Sequence, residues 1–186
     1  MAEHASGSGR SRQAHATPRV LPLVGILARA PLPEDLEAHL TAHHGPVVAR
    51  GGPWSFDDTH YYEAEMGAGL TRVFLAFAPA PAGRLAAWKI ASGRIEDRYR
   101  LPGGRRVNLD PGYVTLGGLF LASTKDGPQR LYLSGGIFAE LTLLYRRGGW
   151  EALAWTFPDF RSGRYDEFLT RARRRLREAS PGDRVA

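Results

Sequence analysis

Residues 105–145 read RRVNLDPGYVTLGGLFLASTKDGPQRLYLSGGIFAELTLLY. Short extended runs alternate there with turn residues, too quickly for helices, and predict four β-strands in succession. A chain carrying such a block must build a sheet and cover at least one of its faces. In the first strand, residues 105–110, Val107 and Leu109 fall on one side, and Arg106, Asn108 and Asp110 on the other. Pro111-Gly112 predicts a turn. Strands follow at 116–123, 131–133 and 137–145, with Asp126-Gly127-Pro128 and Gly135-Gly136 turning the chain between them. In the last strand Ile137, Ala139, Leu141 and Leu143 are expected on one face, and Phe138, Glu140, Thr142 and Leu144 on the other. Glu140 is thus a carboxylate among apolar neighbours and needs a cation, with Arg106, Arg130 and Lys125 available.

The rest of the chain supplies strands and helices around that block. Residues 20–28 read as a buried first strand. The same apolar run, followed by Ala28-Arg29-Ala30, superficially suggests an export signal, but Pro22 and Arg29 fit one poorly. Pro33 and a cluster of acids open a helix over 33–43, with Leu36 and Leu40 on one face. Adjacent His43 and His44 are expected to cap its end or meet solvent. Residues 46–56 and 70–78 read as strands. Residues 83–100 read as a helix whose apolar stripe is Leu85, Trp88, Ile95 and Tyr99. Lys89 and Glu96, seven apart, border that stripe on one side, and Ser92-Gly93 predicts a weak point or a close approach. A strand over 150–155 and a terminal helix over 164–178 complete the chain. The order is that of a ferredoxin-like β-α-β-β-α-β unit, extended by a C-terminal antiparallel meander and a terminal helix. The expected class is therefore α+β: a largely antiparallel sheet with helices packed on it. Residues 1–19 are expected to form a disordered tail, 20–178 a single domain, and 179–186 a frayed end.

Charge bears on the partner. The net charge is +6, yet the excess lies before residue 20 and after residue 160, and the body between is neutral. That argues against a nucleic-acid surface, which concentrates its basic residues on the folded domain. The Arg-rich terminal helix reads as a solvated face. Nowhere is there an apolar run of the ~20 residues that a membrane helix requires. There is no cysteine, which removes thiolate metal sites and accords with a cytoplasmic location. Of the 25 basic residues only Lys89 and Lys125 are lysines. In so Arg-biased a chain, they mark places where a compact ammonium is needed. Asp57, Asp58, His60, Glu63 and Glu65 crowd one irregular segment, but without the frame of a calcium loop or a histidine pair at ligand spacing. An aromatic-anchored acidic loop paired with arginines is expected there, and no metal. The familiar phosphate-loop, dinucleotide, nucleophile-elbow and zinc-helix motifs are absent.

The segments DDTHYYEAEMG, RVNLDPGY, LASTKDGPQRLYLSGGIFAELTLLY and WTFPDF, in that order, resemble the prokaryotic family catalogued as domain of unknown function 4416. The resemblance spans about residues 20–178. Its pattern includes Lys and Glu seven apart in a helix, matched by Lys89 and Glu96, and Thr-Lys before a turn, matched by Thr124-Lys125. The chain departs from the pattern at His60 (an acid), Ser92-Gly93 (Thr-Asn), Gln129 (His), and Phe157 and Phe160 (tyrosines). The last two lose hydroxyls and keep their rings. The resemblance implies an intact fold and a site on the sheet, and no particular reaction or cofactor.

Three functions fit these residues. In the first, a small anionic ligand such as a nucleotide or phosphorylated metabolite is held by Lys89, Arg106, Lys125 and Arg130. Asn108, Asp110, Glu140 and Thr142 orient it, and Glu96 stands beside Lys89. The second is a structural or partner-binding module, in which the same charges are salt bridges. The third is an enzyme using Glu140 or Asp110 for proton transfer, with Lys125 stabilising charge.

Overall fold

The computed structural model describes residues 17–179. Of the expected tail and frayed end, all but residues 17–19 and 179 lie outside them. Fifteen elements run in the order β1 (Arg19–Ala28), α1 (Leu36–His44), β2 (Val47–Ser55), α2 (Glu63–Met66), β3 (Thr71–Phe77), β4 (Ala80–Pro81), a 3-10 turn at Ala82–Arg84, α3 (Leu85–Arg98), β5 (Val107–Val114), β6 (Gly118–Ser123), β7 (Arg130–Ser134), β8 (Ile137–Arg146), β9 (Gly149–Ala152), α4 (Pro158–Arg161) and α5 (Asp166–Ala179). One sheet takes all nine strands, in the order β2-β3-β1-β5-β6-β8-β7, with β4 beside β1 and β9 beside β8. Every pairing is antiparallel. The α+β class expected from the sequence is the class found.

β1, buried along its whole length after Arg19, sits at the centre between β3 and β5. Its alternation assigns the two faces. Val24, Ile26 and Ala28 join Leu75, Phe77, Val107 and Leu109 under α1 and α3, which bring Leu36, Leu40 and Ile95. Leu21 and Leu23 join Phe74 and Ala76 on the opposite face, covered by Phe168, Leu169, Ala172 and Leu176 of α5. Phe74, Phe160, Tyr165 and Phe168 pack there as an aromatic cluster with centroids 4.9–5.9 Å apart.

Four local expectations are corrected. Pro111-Gly112 is no turn: β5 runs straight through it, pairing Pro111 with Val24 and Gly112 with Leu23, and the chain turns only at 115–117. A proline survives there because β5 pairs with β6 only from Gly112 onward. The backbone groups of Leu109, two residues earlier, already point to that open side, so the missing N–H of Pro111 deprives no strand. Gly112 is required for a different reason: a Cβ would collide with the Phe120 carbonyl. Second, the alternation of β8 breaks at a bulge against Leu119 and Phe120, which turns Leu143 into the α5-side core while Ile137 and Ala139 stay under α3. Third, α3 passes Ser92-Gly93 unbroken, with Ser92 wholly buried. Fourth, His44 is not at the surface. It is 2% exposed, its ring 5.0 Å from Phe77 and 5.8 Å from Trp88, and burial pulls its pKa down to about 4.

A candidate ligand cleft where the sheet opens

Because β5 and β6 pair only over 112–114, they part toward the start of β5. Two side chains of α3 occupy the position a neighbouring strand would hold. Glu96 Oε1 accepts the Leu109 N–H at 2.6 Å, and Lys89 Nζ donates to the Leu109 carbonyl at 3.0 Å. Burial raises the Glu96 carboxyl, against the hydrogen bond from Leu109 and the nearby Lys89 charge. The seven-residue spacing thus satisfies both backbone groups of one residue.

Beside this opening, on the α5 face, lies a cleft of about 480 Å³. Its floor comes from β3, β5, β6 and β8. One rim is the segment between β2 and α2, and the other the segment from Phe157 to Phe160.

Across the floor runs a chain of charged and polar contacts. Arg72 of β3 is 4% exposed and reaches past β1 to Asp110 of β5, with Nη1 2.8 Å from Oδ2. It also approaches Asp159 at 3.6 Å and lies 5.1 Å from the Phe56 ring centroid. Gly25 makes this crossing feasible. It lies in register with Phe74 and Asp110, and a Cβ there would stand 2.9 Å from Phe74 Cε1 and 3.1 Å from Arg72 Nη1. Asn108 donates to Asp110 Oδ2 at 2.9 Å and accepts from Arg105 at 2.6 Å. Arg105 in turn grips both oxygens of Glu65, at 2.8 and 2.7 Å. At the other end Tyr165 donates to Asp159 at 3.2 Å.

These contacts separate the two aspartates. Burial pushes the Asp110 carboxyl up, but Arg72 and Lys89, with hydrogen bonds from Arg72 and Asn108, outweigh it and hold the group below its ordinary value. At Asp159 burial wins over Arg72, and the carboxyl is raised. Burial also raises Tyr165 above the usual phenol range and pushes Tyr62 up to about 12.

On the β6–β8 side, Arg130 Nε donates to Glu140 Oε2 at 2.8 Å, and Gln129 donates to the same oxygen at 3.2 Å. Arg130 also holds the carbonyls of Lys125 and Asp126, fixing the loop that carries Lys125. Lys125 stands exposed at the mouth, its Nζ 3.4 Å from the Tyr61 hydroxyl and 5.4 Å from that ring's centroid. Among the described residues, Lys89 and Lys125 have no carboxylate within salt-bridge distance, whereas Arg72, Arg105 and Arg130 are each paired.

Of the residues singled out from the sequence, Lys89, Asn108, Asp110, Lys125, Arg130 and Glu140 line this one cleft. Three do not. Glu96 serves Leu109. Arg106 precedes β5, so strand alternation does not govern it, and it lines a separate hollow with Asp35 and Tyr99. Thr142 sits fully buried at the bulge, its carbonyl accepting from Thr156. Arg72, Arg105 and Asp159 escaped sequence reasoning. Arg72 alone carried a signal, as the one charge in the apolar strand TRVFLAF. The acidic segment pairs with arginines, Glu65 with Arg105, and Asp57 and Asp58 with Arg164. No group of three or more His, Cys, Asp or Glu among the described residues is arranged to hold a metal, and no helix there is long and apolar enough to cross a membrane.

Three buried side-chain atoms of the cleft residues lack hydrogen-bond partners: Asp58 Oδ2, Arg72 Nε and Glu140 Oε1. The remaining three such atoms among the described residues belong to His44, Trp88 and Ser92, in α1 and α3. Half of these six atoms therefore belong to residues that line the cleft.

No curated protein and no solved structure matches this chain. Its residues 18–176 match the model of the family described as domain of unknown function (DUF4416), and the chain belongs to that family.

Proposed function

We propose that the cleft binds a small anionic ligand bearing a phosphate or a comparable group, such as a nucleotide or a phosphorylated metabolite. One observation carries this reading. Lys125 is held over Tyr61 at the mouth with no carboxylate of the described residues within salt-bridge distance, while the arginines around it are paired with Asp110, Asp159, Glu65 and Glu140. An uncompensated ammonium at the rim of a concave, partly apolar site is a receptor for negative charge. Lys89, anchored below on Leu109, adds a second positive charge from inside. Exposed Tyr61 and Phe157 offer flat apolar surface to the remainder of the ligand.

A second reading, proton transfer, is supported by the divergence of the two aspartates across Arg72, one held ionised and one raised. Asp159 fits that role better than Asp110, which Arg72 and Lys89 hold below its ordinary value.

The test is titration calorimetry, guided by a thermal-shift screen of nucleotides, sugar phosphates and inorganic phosphate. At a hundred times its dissociation constant a ligand adds ~2.7 kcal/mol of stability. Lys125→Ala is expected to weaken binding about 10- to 100-fold, the worth of one charge-assisted hydrogen bond. An unchanged affinity in that variant, or no binding by the wild type across the panel, overturns the reading.

A further inference from the structure

The two long edges of the sheet are built differently. At one edge, β2 is broken by register shifts between Val47 and Ala49 and between Gly51 and Trp54, contains Pro53, and carries the exposed Arg50–Glu37 ion pair. Those are the devices by which an edge resists pairing with another chain. At the opposite edge lies β7, Arg130–Ser134, beyond which no strand of the described residues follows. It has one register shift, between Tyr132 and Ser134, but no proline. Its one charged side chain, Arg130, is turned inward onto Glu140 and is only 12% exposed.

Three of the four exposed residues of β7 are apolar or aromatic, the fourth being Ser134. Leu131 is 70%, Tyr132 58% and Leu133 37% exposed. Ile90 of α3 is 40% exposed and lies against the β7–β8 turn, its Cδ1 3.4 Å from where a Gly135 Cβ would stand. Among the described residues, eight large apolar or aromatic side chains are exposed, and these are four of them. Tyr61 and Phe157 belong to the cleft mouth, so the rest of the surface accounts for only two, Leu101 and Trp155. A cluster of this kind along an unguarded strand marks an interaction surface.

We infer that this edge joins two copies of the chain through antiparallel β7–β7 pairing about a twofold axis at Tyr132. Self-pairing fits the sequence RLYLS. It sets Leu131 opposite Leu133 of the second copy and Tyr132 opposite its counterpart, giving aliphatic and aromatic cross-strand pairs. It brings no like charges together, because Arg130 is already committed within its own chain. An isologous interface needs one self-complementary patch, and a five-residue strand of ~17 Å bordered by Ile90 supplies it. The pairing is independent of the ligand reading, although β7 starts at the Arg130 that closes one wall of the cleft.

The test is the mass of the full chain by sedimentation velocity and light scattering. Mass action raises the dimer fraction with concentration, so the range should run from about 1 µM to about 100 µM. The wild type is expected to pass from the 20.4 kDa protomer to twice that mass. Leu131→Lys and Tyr132→Lys each place two ammonium groups near the twofold axis, and are expected to raise the dissociation constant at least about 100-fold. Because both positions are largely exposed, circular dichroism and thermal midpoint should not move at about 1 µM, where the wild type is itself a protomer. A wild type that remains a protomer throughout overturns the inference, including the case in which the edge serves a different protein. Lysine variants that dimerise as the wild type does overturn it equally.

Discussion

Arg72→Met removes the cation on which the cleft floor is assembled while keeping most of its apolar stem. Arg72 lies 2.8 Å from one Asp110 oxygen and 3.6 Å from one Asp159 oxygen. At the ~4 Å separation of charge centres and an effective dielectric near 20, each attraction is worth about 4 kcal/mol before desolvation is subtracted. Removing one member of a buried ionic cluster costs a net of about 3–5 kcal/mol, because the partners stay buried and uncompensated. For a chain of this size that corresponds to a fall in Tm of about 10 °C. Without Arg72 the two carboxylates also face each other, so the loss depends on pH. In the wild type, Asp110 is held below its ordinary value. Its contribution is complete above the unfolded carboxyl range and lost as pH falls through the folded value. Asp159, raised by burial, acts oppositely: its contribution is present at low pH and lost as pH rises through its folded value. In the variant both carboxyls rise, so the deficit should be largest at pH 7 and should shrink on acidification toward pH 4 as they protonate. Urea denaturation of both proteins at these two pH values measures it. A deficit below ~1 kcal/mol at pH 7, or one independent of pH, refutes the view that Arg72 organises the floor by charge.

Other consequences follow from single contacts. Gly25→Ala should cost about 1–3 kcal/mol in denaturant melts, because the new methyl meets Phe74 and the Arg72 guanidinium. Glu96→Ala should cost a similar ~1–3 kcal/mol and speed amide exchange at Leu109 selectively, since that N–H loses its acceptor. His44 should make stability fall between pH 6.5 and about 4 by roughly 3 kcal/mol, because the unfolded chain takes up a proton that the buried ring refuses until its pKa of about 4. His44→Phe should flatten that slope in denaturant melts at pH 7 and pH 4.5.

The α+β class and the succession of strands were legible because apolar alternation and turn residues encode them locally. Pro111-Gly112 misled for a physical reason: whether a proline ends a strand depends on whether a neighbour needs its N–H, and that is settled by the register of β6, not by the dipeptide. His44 misled similarly, because helix-end residues are surface residues only when nothing packs across them, and here α3 does. The site was partly legible. The two lysines stood out against the arginine bias, and both line the cleft. Glu140 was legible as an isolated carboxylate in an apolar strand, and Arg130 is its partner. Arg72 followed the same logic on β3, where it went unread. Arg105 sits in an irregular segment and Asp159 in the four-residue helix α4, and only the folded chain determines where either points. Thr142 was lost to a bulge, which inverts facing without leaving a mark in the residue pattern.

Lys89 and Glu96 grip the main chain of Leu109, not its side chain. Contacts of that kind leave an uneven imprint on related sequences. Changes at 89 and 96 should be correlated with each other, because losing either leaves one backbone group stranded. Position 109 should vary among apolar residues without regard to them, because every residue except proline presents the same N–H and C=O. A covariation search for the neighbour of this helix pair would then return no partner in β5, although the two elements are joined there by two hydrogen bonds.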